Sequence, residues 1–269
     1  RRNIGELRNR GIEGNFIWRD KVGQVDYSVN LNGSYNTTVL EKWNEFLGKG
    51  WTFLNMPYHF VYTYVDKGLA QTWQDIYSTT PQGASPGDVL RLDLNGDGII
   101  SGEDRKAFPR VQRDRPTTNF AMNLNAAWKG FDIAILFQGA AGRKTYWINH
   151  FNNLTFSATR YASTWEHWNN PWSWENRDGS WSRLGSSRDE TTYWLDDLSY
   201  LRLKNIQLGY NVPKRWIERV GVESVRIFGT TENVFTLTKY RGLDPEKIAH
   251  QSDAYPLNKS FSLGINIGI

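Results

Sequence analysis

Hydrophobic and polar residues alternate without a fault along residues 24–36, QVDYSVNLNGSYN. Val25, Tyr27, Val29, Leu31 and Tyr35 fall on one side, and Gln24, Asp26, Ser28, Asn30, Asn32 and Ser34 on the other. A period of two is the signature of a β-strand with two unlike faces. The run is longer than the about 5–6 residues of an ordinary globular strand. Residues 118–128 repeat the pattern, with Phe120, Met122, Leu124, Ala126 and Trp128 opposite Asn119, Asn123 and Asn125. After Lys129-Gly130, Phe131, Ile133, Ile135 and Phe137 oppose Asp132 and Gln138, so 118–139 is predicted to be a hairpin closed by a very tight turn. The last residues, SFSLGINIGI, set Phe261, Leu263, Ile265, Ile267 and Ile269 against Ser260, Ser262, Gly264, Asn266 and Gly268.

Further strands are predicted over 5–19, 55–66, 196–211 and 222–237. Within LSYLRLKNIQLGY the apolar parity flips between Leu201, Leu203 and Ile206, Leu208, Tyr210, which places a bulge near Lys204-Asn205. NVPKRWIERVG reads as a short connecting helix, with Pro213 at its first turn and Gly221 as its stop. The polar faces are rich in Asn, Ser, Gln and Gly, and aromatics stand at strand ends, as at Tyr35, Trp128, Phe131, Tyr210 and Tyr240. Apolar side chains toward lipid, polar ones toward a wet lumen and aromatic girdles are the marks of a membrane β-barrel. The connections at 67–115 and 140–193 are long, whereas Lys129-Gly130 is minimal. That asymmetry predicts long extracellular loops and short periplasmic turns.

Composition sharpens this picture. The chain has 269 residues, 14% of them aromatic, with a mean hydropathy of −0.60, so its apolar atoms must be segregated onto faces. No run of about 18 apolar residues is present, which excludes a transmembrane helix. Without cysteine there are neither disulfides nor a thiolate metal site, and the lack leans toward an exported protein. The opening RRNIGELRNR carries neither an initiator Met nor an apolar segment, so the chain reads as an internal or processed piece of something longer. The net charge is +4. Its one dense patch, RKAFPRVQRDR with Arg105, Lys106, Arg110, Arg113 and Arg115, reads as a solvated turn; no nucleic-acid motif accompanies it.

Candidate chemistry centres on DLNGDGIISGED, Asp93 to Asp104. Counting Asp93 as position 1 puts Asn95 at 3, Asp97 at 5, Gly98 at 6, Ile99 at 7, Ser101 at 9 and Asp104 at 12. This is the oxygen-ligand spacing of a calcium loop, with the main-chain carbonyl at Ile99 and a glycine for the sharp turn. Asp104 in place of the usual Glu shortens the reach. The competing reading is an Asp-Gly turn without metal. A structural Ca2+ clip is expected over a sensor, because neither flank forms the amphipathic helix that a sensor moves. A second candidate is the aromatic loop at 140–193. There Trp165, Trp168, Trp172, Trp174 and Trp181, beside amides and Arg183, could stack a sugar or peptide ligand, or could pack the loop on itself. No catalysis is expected. His59, His150, His167 and His250 are scattered without a catalytic motif, and Asp196-Asp197 are sequence neighbours, an unsuitable spacing for a pair of glycosidase carboxylates.

The string SPGDVLRLDLNGDGIISGEDRKAFPRVQRDRPTTNFAMNLNAAWKGFDIAILFQGAAG (85–142) resembles the C-terminal third of SusC/RagA-type TonB-dependent outer-membrane transporters. YLRLKNIQLGYNVP (200–213), TENVFTLTKYRGLDPE (231–246) and YPLNKSFSLGINIGI (255–269) follow in that family's order, whereas residues 1–84 match only loosely. The resemblance implies an all-β chain, residues 1–269 being the C-terminal part of the barrel: about ten long antiparallel strands of about 22. It implies TonB-dependent import of glycan or peptide oligomers across the outer membrane of a Gram-negative bacterium. It also implies a SusD-like surface lipoprotein as partner, outer-membrane lipid around the wall, and TonB acting through a plug that this chain lacks. An open sheet edge cannot sit in lipid unpaired, so the remainder of the barrel is expected from a longer transporter or a second chain. A soluble calcium-dependent carbohydrate-binding β-protein is the alternative. A dockerin-like module would need a second D-x-N-x-D-G repeat, which the sequence lacks.

Overall fold

A computed structural model of the chain describes residues 5–43, 54–58, 60–112, 115–146, 168–186, 190–218, 221–242, 244–247 and 257–269. Seven strands make one antiparallel sheet in the order β1-β2-β7-β8-β11-β12-β13. They are β1 (Glu6–Val22), β2 (Val25–Lys42), β7 (Thr118–Trp128), β8 (Phe131–Ala141), β11 (Tyr200–Asn211), β12 (Ser224–Thr238) and β13 (Ser260–Gly268). Each pairs with its neighbours in chain order, so the wall is a pure up-and-down meander. The strand predicted from the alternation at 24–36 runs on to Lys42, where pairing with the 17-residue β1 holds it although the alternation has lapsed.

Register explains the two faces. Trp18, Val29, Leu124, Ile135 and Ile206 lie across successive strands on one side, while Arg19, Ser28, Asn125, Ala134 and Gln207 lie across the other. The apolar side is uncovered: Phe261, Leu263 and Ile265 of β13 are 74%, 91% and 62% exposed. A water-soluble sandwich would bury such a face under a second sheet. Lipid accepts it as it stands.

Short turns gather at one end. Val22 and Val25 pair across the two-residue link Gly23-Gln24, and Trp128 pairs with Phe131 across Lys129-Gly130. Both residues of the second link have positive φ, 47° and 91°. This is the turn that follows the right-handed strand twist, and glycine takes its more open position without strain. At the same end, helix α2 (Lys214–Ile217) behind Pro213 joins β11 to β12. The predicted bulge is present: both neighbours of β11 slip register between Leu203 and Asn205.

Among the described residues seven strands stand in the sheet where about ten were expected; of the predicted stretches, 55–66 lies outside the sheet and 196–211 belongs to it only in part. Residues 55–66 shorten to β3 (Phe60–Tyr64), which pairs with β6 (Arg105–Gln112); 196–211 divides into β10 (Leu195–Asp197) and β11. The remaining short pairs are β4 (Asp66–Leu69) with β5 (Val89–Arg91), and β9 (Lys144–Tyr146) with β10. The basic run is therefore strand at 105–112, not a turn.

On the polar face the Arg226 guanidinium of β12 reaches over Gly209 of β11 to both carboxylate oxygens of Asp132 on β8, at 2.6–3.2 Å. A Cβ at 209 would collide with both partners. Gly209→Val should therefore lower the temperature at which the intact barrel protein unfolds on unboiled SDS gels. In an Asp132→Ala/Arg226→Ala background the same change should be neutral or stabilising, since valine suits a strand better than glycine. Equal losses in both backgrounds would show that the ion pair is not what glycine serves.

Candidate functional site in the loop cap and inner wall

The buried core lies beyond the long sheet, where the connections opposite the tight turns fold together. Val61, Tyr146, Trp181 and Trp194 form its centre, with Val89, Phe108, Tyr193, Leu195 and Tyr240 against them. Trp194 is fully buried. Backbone polarity is satisfied by long-range links: the Thr63 hydroxyl donates to the Glu190 carbonyl at 2.7 Å, and the Asp66 amide donates to Thr192 Oγ1 at 2.9 Å. Burial pushes the Tyr193 phenol up to about 12.

The SPGD string has a physical reason. Asp88 accepts the Ser85 amide and pairs with Arg183 at 2.8 Å, while the Gly87 carbonyl accepts the Arg183 amide. Gly87 has a φ of 87°, and a Cβ there would run into Trp172 and Arg183. Trp172 Nε1 donates to Gln71 Oε1 at 2.8 Å, tying the 168–186 segment to helix α1 (Trp73–Tyr77).

These contacts decide the aromatic candidates. Trp172 and Trp181 are buried, and the Arg241 guanidinium sits 4.7 Å over the Trp181 ring while pairing with Asp196. They pack the cap. Trp168 and Trp174 are exposed, and Trp174 stands edge-on to Trp172 at 5.2 Å with Arg177 over its ring. Trp165 lies outside the described residues, as do all four histidines. Asp196 serves Arg241 and Asp197 accepts the Ser199 amide, so the two carboxylates have separate structural tasks.

In the 93–104 loop, Asp93 accepts the amides of Gly96 and Gly98 and the Thr80 hydroxyl, at 2.7, 2.9 and 3.0 Å. Asn95 Oδ1 accepts the Asp97 amide, and Asp97 Oδ1 accepts that of Ile99. Asp104 is fully buried and accepts the amides of Leu94 and Ser101. It sits in a single 3-10 turn, Gly102–Asp104, capped by Ser101. Gly96 and Gly98 both have positive φ, which lets the backbone curl around Asp93. The donor set of Asp93, Asn95, Asp97, the Ile99 carbonyl, Ser101 and Asp104 is all oxygen, suited to a hard cation. No group of three or more carboxylates or imidazoles converges among the described residues. Burial works against the charge on Asp93, but the accepted amides outweigh it and hold the carboxyl below its ordinary value.

The inner face carries a second cluster that the sequence did not single out. Arg202 of β11 is buried; its Nη2 meets Asp244 Oδ1 at 2.8 Å and its Nη1 meets Glu246 Oε2 at 2.7 Å. The Tyr200 hydroxyl donates to Glu246 at 2.7 Å, and Arg143 Nη2 donates to the carbonyls of Pro245 and Lys247. Residues 244–247 are thus strapped to the wall near its cap end. The signal was available in LDPE following the last aromatic of β12, but its partners lie far back in the chain.

An antiparallel wall with one exposed apolar side, tight turns at one end and a folded cap at the other defines a segment of a β-barrel membrane protein. No family model matches the chain. The TonB-dependent receptor P3 of Formosa agariphila is 29% identical over 300 residues, covering 98% of this chain and 29% of the receptor. The SusC receptor of Bacteroides thetaiotaomicron is 26% identical over 201 residues, covering 72% of this chain and 19% of the receptor. The solved RagAB peptide importer in its open-open state superposes with a TM-score of 0.72 at 19% identity, over 98% of this chain and 29% of that one. The chain is accordingly similar in sequence to TonB-dependent receptors and in fold to the RagAB importer, and it spans about 29% of the length of receptor P3. The relation extends through residues 1–84, where the motifs alone gave only a loose match.

Trp194→Ala should cost the cap about 3–5 kcal/mol, seen as protease nicking within 60–197 while the long sheet stays resistant; Trp174→Ala should cost less than about 0.5 kcal/mol. Asp93 of the loop and Asp75, which caps α1, both have lowered values. Their stabilisation is fully present above the ordinary 3.8 and is lost as pH falls through the lower folded values. Hydrogen-exchange protection at the Gly96 and Gly98 amides, corrected for intrinsic rate, should fall in that acid range and stay flat above pH about 5.

Proposed function

We propose that the chain forms part of the wall of an outer-membrane transporter that imports glycan or peptide oligomers. TonB supplies the energy through a plug domain outside residues 1–269, and a SusD-like surface lipoprotein works at the cap end. The observation that carries this reading is the pairing of a lipid-compatible apolar face with a polar inner face bearing fixed ion pairs, in a chain related to such receptors over 98% of its length. The inner wall offers hydrogen-bonding groups to a passing hydrophilic oligomer, and the cap offers exposed Trp168 and Trp174 at its surface. The Asp93–Asp104 loop holds a structural Ca2+ in this reading, its amide-aligned carboxylates and the Ile99 carbonyl supplying the oxygens. The ion fixes one edge of the cap and takes no part in transport chemistry.

The import reading is tested with the intact transporter in its outer membrane. Removing the gene should abolish uptake of labelled oligomers from a mixed glycan and peptide pool while leaving monosaccharide and amino-acid uptake unchanged; undiminished oligomer uptake would refute it. For the metal, calcium should slow proteolysis within 93–104 relative to chelator. Asp97→Ala should remove that protection and leave the barrel's unfolding temperature within about 2 °C, as a loop change of under about 0.5 kcal/mol would. Collapse of the whole barrel in Asp97→Ala would give the loop a larger role than a clip.

A further inference from the structure

The bulge in β11 does more than reset the outward parity. Leu203 pairs with Phe137 and Asn205 with Leu136, so against β8 Lys204 is an inserted residue, whereas on β12 Asn233 and Val234 lie together opposite it, between Phe235 and Glu232. An extra residue in one strand bends it and re-aims a side chain. Here Arg202 and Asn205 keep the inner face, and Lys204 joins them there. Its side chain lines a cavity of about 220 Å³ between the inner wall and the strap at 244–247.

The one carboxylate among the described residues that line this cavity is already occupied. Arg143, Lys204 and Glu246 all line it. The Glu246 carboxylate is already engaged by Arg202 at 2.7 Å and by the Tyr200 hydroxyl at 2.7 Å. Arg202 in turn is shared between Glu246 and Asp244. Both carboxylates are thus engaged by Arg202, and Lys204 makes no ion pair or hydrogen bond through its ammonium among the described residues. The amides of Asn119 and Gln138 complete the polar lining. A half-buried lysine at a bulge, beside the neutral amides of that cavity, suits a small anion.

We propose that Lys204 and its cavity form a subsite for a carboxylate of the transported oligomer, either the C-terminal carboxylate of a peptide or that of a uronic-acid residue. This rests on the import reading given above and narrows its substrates to those with an acidic group. Lys204 acts as a point charge with three donors, while Asn119 and Gln138 add neutral hydrogen bonds. The strap residue Glu246, held away by Arg202 and Tyr200, keeps its own carboxylate from occupying the place.

The test uses the intact transporter in detergent and four probes. They are a mixed-sequence tetrapeptide pool with free C-termini, the same pool amidated, a uronate oligosaccharide pool, and its methyl ester. At least one acidic pool should bind more tightly than its neutral counterpart. Lys204→Gln should weaken that pool roughly tenfold, the scale of one charged hydrogen bond, and leave the neutral counterpart unchanged; Lys204→Arg should restore most of the difference. The acidic preference should also shrink between 50 mM and 500 mM salt. Which pool responds identifies the source of the carboxylate. Equal binding of acidic and neutral pools, or a Lys204→Gln effect common to both, overturns the subsite while the import reading stands. Binding of none of the four overturns both. Retention of the native heat-modifiable band by Lys204→Gln controls for folding.

Discussion

Every amide and carbonyl in the long sheet has to find its partner on a neighbouring strand, because the outward face is apolar and in lipid no water replaces a missing bond. That requirement sets the rest of the architecture. It fixes the meander, since neighbouring strands in sequence are the cheapest partners to align. It makes register strict, because a slip of one residue would send Asn30, Asn123 and Gln207 outward and Val29, Leu124 and Leu208 inward. The departure at Lys204 is accommodated by shifts against both neighbours, with the extra residue in β11 where it faces β8 and in β12 where it faces β11; another shift stands at the start of β1, between Glu6 and Leu7.

The cap answers to a different physics. Its tryptophans bury apolar area in the ordinary way, and it builds a compact centre from short strand pairs separated widely in sequence. Among the described residues the wall and the strap at 244–247 are joined by fixed polar links. Arg202 on the wall holds Asp244 and Glu246, and Arg143 holds the carbonyls that flank them. Such pairs break even at best in stability but are specific in geometry. They set where the returning chain lies.

How much of this could be read from sequence follows from the range of the interactions. Strict alternation revealed β2, β7, β8 and β13, because facing lipid on one side and water on the other imposes period two on every residue. The parity flip announced the bulge, and Lys129-Gly130 announced its turn, since both signals are local. The strand predicted over 5–19 is β1, short only of its last three residues, where Asp20-Lys21 hide the pattern and pairing with β2 carries the strand on to Val22. Residues 55–66 looked like wall because Val61, Thr63 and Tyr64 are β-formers; propensity does not say which sheet a strand joins. The Trp-rich loop was legible as aromatic and illegible as to role. Trp172 and Trp181 are buried by Gln71, Gly87 and Arg241, partners brought from distant parts of the chain. The Asp93 loop was visible in its spacing, and the structure adds that its carboxylates are aligned by the loop's own amides.

The bonds from Thr63 to Glu190 and from Asp66 to Thr192 span 127 and 126 residues, which has a bearing on the order in which the molecule assembles. The hairpins β1-β2 and β7-β8 close loops of two residues, and can zip as soon as their strands are available. The cap cannot begin until Glu190 and Thr192 have come within reach of β3 and β4. By then β7 and β8, which lie between them in the chain, are ready to pair. The cap therefore closes only after those two hairpins are able to form.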